Sequence, residues 1–297
     1  MTYQEFKQHI TNVIQTKLGP SVKVTVQEII KNNNTRLDGL TILSNQLNIS
    51  PTIYLNYYYS QYQKGQPLCD IYQDILSTYE ENKPQGCIDI SFFTEYEKVK
   101  NRIVFKLVNY ERNRELLKKV PHYRYLDLAI IFNCLLESNT TGNATILIHE
   151  QHLAFWHITK DDLYTLAMEN TPKLLTYELK NMTEVLSGLF KAEFADAFEP
   201  TPNDFPMYVL SNCSKLNGSG CILYKNLLQN FAKKIDSDLY ILPSSIHEVL
   251  IIPAKKADSA EELSAMVKEV NATQLSNEEI LSDHVYYYSK ETAQLTM

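Results

Sequence analysis

Several things are scarce in this 297-residue chain, and each scarcity removes a class of protein. Its five cysteines (Cys69, Cys87, Cys134, Cys213, Cys221) are odd in number and form no CxxC pair. A disulfide framework and a thiolate zinc site are therefore not expected. No run approaches the 18 apolar residues of a membrane span, and the first 20 residues carry charges and amides where a signal peptide needs an apolar stretch. The expectation is a cytoplasmic protein with reduced thiols and no membrane association. Glycine is limited to eight residues, and GxGxxG, GK[ST], GxSxG and HExxH are all missing, so no nucleotide loop, nucleophile elbow or zincin helix is legible and no cofactor is expected.

Hydrophobic residues make up 44% of the chain and recur with clear periodicity, enough for a sizeable core. Residues 2–18 place Phe6, Ile10, Val13, Ile14 and Leu18 at helical spacing, with Thr2 as N-cap and Gly19-Pro20 as the stop. Segments 22–31 and 36–43 read as a hairpin across an NNNT turn, followed by a short strand at 51–55 and two helices to about residue 83. Short extended residues at 88–90 lead to a helix capped by Ser91. Ile103 to Tyr110 is apolar nearly throughout, as a central strand is. A short basic helix, a strand pair at 126–136 and 144–148 across ESNTTGN, and helices to about residue 190 complete the first part. The fold class expected is α+β: a mostly antiparallel sheet with helices on one face in the N-terminal half, a helical middle, and a second small α+β unit at the C-terminus. The domain reading is 1–198, a proline-bearing linker at 199–206, and 207–297.

The stretch ILPSSIHEVLIIPA, 241–254, reads as a hairpin with Pro243-Ser244-Ser245 as its turn and Ile246 to Ile252 as the returning strand. Alternation then sends His247 and Glu248 to opposite faces. DLYILPSSIHEVLIIP at 238–253, with SPTIYLNYYY at 50–59, GNATILIH at 142–149, EVNATQ at 269–274 and LSDHVYYY at 281–288, resembles a bacterial family of unknown function from anaerobic gut bacteria. The resemblance implies a bacterial, intracellular, single-module protein and transfers no catalytic residue. The order of elements is also similar to that of a second uncharacterised bacterial family.

Four groups of residues have types that can carry chemistry. Ser244, Ser245, His247 and Glu248 supply nucleophile, base and carboxylate types, although triads assemble from separate segments; the plainer reading is a turn closed by its own hydroxyls. His149 and His152, i and i+3 on a helix, can share a metal with His157 and use Glu150 as a base, or can be structural. Cys213 and Cys221 bracket the SKLNGSG loop, which reads as a redox pair, an anion cradle or an ordinary turn. Lastly, twenty tyrosines accompany a single tryptophan. Tyr57, Tyr58 and Tyr59 occupy successive helical directions, and Tyr286, Tyr287 and Tyr288 alternate on a strand, so some must face solvent, where tyrosine favours protein contacts.

The formal charge of −7 is unevenly spread: Glu97 to Arg124 holds nine basic residues against three acids, Arg112, Arg114, Lys118 and Lys119 among them. That island faces an anionic partner or is a solvated surface. The leading expectation is a protein-binding or regulatory module without catalytic activity, contacting its partner through Tyr57, Tyr58, Tyr59 and Tyr287. The alternatives are a hydrolase centred on His247, a metal site at His149 and His152, and nucleic-acid or nucleotide binding at 98–124.

Overall fold

The structure, a computed structural model, describes residues 1–44, 47–84, 86, 91–136, 145–193, 207–257 and 259–297, with backbone alone at 91 and 188–193. Cys87, the 88–90 segment, the ESNTTGN turn and the 199–206 linker lie outside the described residues. The chain divides into two compact units, Met1–Phe92 and Phe93–Met297.

In the first unit, α1 (Tyr3–Leu18) precedes the antiparallel strands β1 (Val22–Ile30), β2 (Arg36–Ser44) and β3 (Thr52–Tyr54), then α2 (Leu55–Gln63) and α3 (Leu68–Asn82). The Thr2 hydroxyl accepts the Glu5 amide at 3.3 Å while the Glu5 carboxylate accepts that of Thr2 at 2.8 Å, a reciprocal cap that starts α1 where the sequence places it. Phe6, Ile10 and Ile14 from α1 meet Leu40 and Ile42 from β2 and Ile71 and Ile75 from α3 in one buried core. Helical and strand periodicities thus converge on a shared apolar layer.

β1 is an edge strand. The Gln15 side chain donates to the Val22 carbonyl and accepts from the Val24 amide, both at 3.0 Å, so the even-numbered residues turn their main-chain groups away from β2. Among the described residues nothing meets those groups at Val26, Glu28 and Ile30.

The second unit opens with α4 (Tyr96–Val99), β4 (Ile103–Asn109), α5 (Arg114–Leu117), β5 (His122–Tyr125), β6 (Leu128–Leu135) and β7 (Thr145–Leu147). β6 pairs with β4 along one side and with β5 and β7 along the other, all antiparallel. Then come α6 (Glu150–Trp156), α7 (Lys160–Leu174), β8 (Tyr177–Asn181), α8 (Met182–Glu193), β9 (Tyr208–Asn212), α9 (Leu227–Ile235), β10 (Leu239–Leu242), β11 (Val249–Pro253), α10 (Ala260–Thr273), β12 (Tyr286–Ser289) and β13 (Gln294–Thr296). These strands form a six-stranded antiparallel sheet in the order β13-β12-β10-β11-β9-β8. The outer edge of β4 is closed by α7: the Phe105 amide donates to the Thr171 hydroxyl at 3.0 Å and the Asn170 amide donates to the Ile103 carbonyl at 3.2 Å. This is the protection that edge strands ordinarily receive, and β1 has it only over its first turn of pleat.

The fold is α+β. Its division differs from the expected one at 199–206, because β8 and β9, on opposite sides of that segment, pair over five residues in one sheet. The N-terminal half likewise holds two sheets in two units where one was expected.

Candidate functional site

The segment 243–248 is more constrained than a hairpin turn. The returning strand starts at Val249 and not at Ile246, because the main chain before it pairs elsewhere. Ile246 N–H donates to the Glu279 carbonyl, Leu281 N–H to that of Ser244, and Ser282 N–H to that of Pro243. From the other side, Ser211 Oγ donates to the His247 carbonyl at 2.7 Å and Ser219 Oγ to the Ile246 carbonyl at 2.8 Å. The loop is thus clamped between β9 with the Gly218–Leu223 turn on one side and residues 279–282 on the other. Its consequence is to deliver Ser282, Asp283 and His284 to a fixed place.

That place is Asp127, in the turn between β5 and β6, where Leu126 takes a left-handed φ of 55°. The Asp127 carboxylate, 14% exposed, accepts the Ser282 hydroxyl at 2.6 Å, His284 Nδ1–H at 3.0 Å and the Tyr286 hydroxyl. Ser282 Oγ in turn accepts the His284 amide at 2.9 Å, which fixes the backbone from which the imidazole projects. Ser282 and Tyr286 are fully buried, whereas the His284 side chain is 54% exposed. Burial first, and the neighbouring carboxylate second, push the Tyr286 hydroxyl far above its ordinary range, so it stays a donor.

Alongside, Arg112 Nη2 meets the Asp283 carboxylate at 2.8 Å and Nη1 approaches Asn277 Oδ1 at 3.4 Å. Asn271, buried in α10, donates to the Ser282 carbonyl and to the Asp283 carboxylate, each at 2.8 Å. Burial opposes ionisation of Asp283, yet the Asn271 amide and Arg112 together hold its carboxyl below the ordinary value. Asn109 Nδ2 donates to the Leu281 carbonyl at 3.0 Å, so β4 also reaches this segment. A carboxylate, an oriented imidazole and an arginine therefore converge through bonds that span 157 and 171 residues of sequence, which is how acid–base centres are commonly assembled.

A family model described as "Family of unknown function (DUF5688)" matches residues 3–290, which takes in both units and the whole Asp127 centre. The chain belongs to the DUF5688 family. No curated protein and no solved structure matches it.

In this DUF5688 chain, the sequence-predicted residues fall as follows. His247 donates its amide to Ser245 Oγ at 3.0 Å, and its Nδ1 lies 3.2 Å from the Lys215 carbonyl. Ser244 and Ser245 stand in the clamped loop, and Glu248 precedes β11, so the expected alternation of His247 and Glu248 on a strand does not occur. Ser244, Ser245, His247 and Glu248 are not assembled into a triad. His149 N–H donates to His152 Nδ1 at 3.0 Å, with the two rings 5.6 Å apart, and His157 ends α6 in a left-handed conformation. Burial, then the His149 charge, depress the His152 pKa. With one nitrogen occupied by a backbone donor and the ring packed on Phe93 and Trp156, His152 serves the start of α6. Among the described residues no three of His, Cys, Asp and Glu converge as a metal site.

The tyrosines separate by burial. Tyr58 is buried and Tyr59 packs on Tyr3 and Phe6, while the Tyr57 ring is exposed. On β12, Tyr286 and Tyr288 are buried, and Tyr287 pairs across strands with Tyr240 and donates to Asp238 at 2.8 Å. Cations lie over six of the twenty tyrosines, Tyr3, Tyr54, Tyr72, Tyr79, Tyr110 and Tyr123, and all of these but the buried Tyr79 are half-buried rings topped by lysine or arginine. In the basic segment, Lys98, Lys100, Arg114 and Lys118 pair with acids three residues earlier, Arg112 is held by Asp283, and Lys119 is exposed.

The SKLNGSG loop has a buried end: Gly218, Ser219 and Gly220 lie inside, and the Ser219 and Gly220 amides donate to the Ile246 and Asn217 carbonyls. The thiols divide likewise. Cys69 and Cys213 are exposed, whereas burial pushes the Cys134 and Cys221 thiols up to about 11 and about 12. At pH 8, a disulfide reagent followed by peptide mass spectrometry should modify Cys69 and Cys213 in the native protein and reach Cys134 and Cys221 only after denaturant is added.

Proposed function

We propose that the protein is a cytoplasmic interaction module whose first unit receives an extended segment of another protein along β1. The observation that carries this reading is the unpaired outer edge at Val26, Glu28 and Ile30, next to an exposed Ile30 side chain. Nine residues of regular strand with an open edge form a template for an added strand: the main-chain groups supply affinity and alternate side chains supply selectivity. Tyr57, exposed at the start of α2, is a second contact position on the same unit. The free thiols and the lack, among the described residues, of a helix long and apolar enough to cross a membrane support the cytoplasmic placement.

The test uses the outward direction of the Glu28 amide. Glu28→Pro removes that donor and places a ring on the edge while leaving the ladder to β2 intact, since an outward-facing position of an edge strand tolerates proline. With a photocrosslinking residue at the exposed Gln27, the wild-type background should trap a partner chain in cells, and Glu28→Pro should lower the yield at least about tenfold, the effect of 1.4 kcal/mol. Undiminished crosslinking in the proline variant would rule out strand addition.

A further inference from the structure

We propose that Asp127 and His284 form a general-base pair that activates water against a neutral carboxylic ester. Both residues belong to the second unit, whereas the β1 edge belongs to the first. Three donors meet Asp127, but they are unlike in what they do. Ser282 and Tyr286 face inward and complete the tie between the β5–β6 turn and β12. His284 faces outward: its Nδ1–H is held by the carboxylate at 3.0 Å, its backbone is held by Ser282, and among the described residues Nε2 has no partner. A carboxylate behind an imidazole selects the tautomer with its lone pair on Nε2 and stabilises the imidazolium that forms when Nε2 takes a proton. Nothing in the packing requires a third, solvent-facing donor on Asp127.

The surrounding charges select the substrate class. Asp127 and Asp283 set a negative field. Arg112, the cation alongside, has Nη2 on Asp283 at 2.8 Å, so its charge is offset there and the balance of Asp127, Asp283 and Arg112 disfavours an anionic substrate. Tyr286 is the remaining ionisable group in contact with the carboxylate, and it stays protonated. A neutral acyl ester fits this field. In the step, Nε2 takes a proton from water as the water oxygen bonds to the acyl carbon; the carbon–alkoxy bond then breaks, the alcohol leaves with that proton, and the carboxylic acid releases its own to solvent.

The probe is p-nitrophenyl acetate, with nitrophenolate release followed across pH 5 to 9 on the full chain. His284→Gln, at an exposed position that leaves the Ser282 and Tyr286 ties in place, should lower the rate about a hundredfold, the scale of general-base catalysis. Asp127→Asn should flatten the rise with pH while keeping the shape of the site. His247→Gln serves as the control and should retain the wild-type rate, since that ring is bound to the Lys215 carbonyl. A His284→Gln rate equal to wild type would overturn the proposal, as would an unaltered profile in Asp127→Asn. A solvent isotope effect near unity would also overturn it, by assigning the reaction to direct attack of the imidazole.

Discussion

Asp127→Ala should destabilise the second unit by about 4 kcal/mol and lower its melting temperature by roughly 10 °C. The size follows from what the substitution leaves behind. The Ser282 and Tyr286 hydroxyls are wholly buried and both donate to Asp127, so removing the carboxylate strands two donors that water cannot reach. A stranded buried donor costs ~1–3 kcal/mol, and the bonds lost are to a charged acceptor, the stronger kind. The His284 bond adds little, since that imidazole is half in solvent and hydrates readily when released. Asp127→Asn keeps one acceptor oxygen and should cost about half as much. Chemical denaturation of the three proteins, with Tyr286→Phe as a fourth, would show whether the loss is coupled: a Tyr286→Phe, Asp127→Ala pair whose effects simply add would mean that the two groups do not stabilise each other.

This centre was only half legible beforehand. Its segment, LSDHVYYY, is among those that resemble the family, and Arg112 belongs to the basic segment 98–124. Asp127, however, sits in a turn with no neighbour in sequence that hints at His284, 157 residues away. Proximity across such a span follows from sheet order, and sheet order depends on β5, β8 and β13, which local patterning did not reveal. β8 reads YELKN and β13 QLT, edge strands whose polar faces erase the apolar alternation. The helices were plain by contrast: α1, α7 and α10 each begin at a Thr or Ser whose hydroxyl accepts an amide three residues on. Around His247 the adjacency of serine, histidine and glutamate in sequence suggests a catalytic group. The fold uses that loop to place other residues, and the real convergence lies one strand away.

Gly218→Ala tests that placing role, and its expected cost is about 3 kcal/mol. A methyl group at 218 would lie 2.2 Å from Ser211 Oγ, 2.4 Å from the His247 carbonyl oxygen and 2.8 Å from the Asn212 amide nitrogen. Two of these are main-chain atoms on different segments, neither able to retreat without giving up a bond, and the third is the hydroxyl that holds the His247 carbonyl. Gly39 in β2 is the instructive contrast: a methyl there meets Ile29 Cδ1 and Thr52 Cγ2 at 2.5 Å, both at side-chain ends that can rotate away, so Gly39→Ala should cost about 1 kcal/mol. The stronger prediction concerns where Gly218→Ala acts. Amide hydrogen exchange should speed up at Ile246, Leu281 and Ser282, whose N–H groups bond across the loop, and Ser282 should then release its hold on Asp127 and His284. If those amides stay protected while the protein loses stability elsewhere, the loop does not position the centre. If they loosen together, residues 243–248 act as the clamp through which β9 sets the geometry of Asp127 and His284.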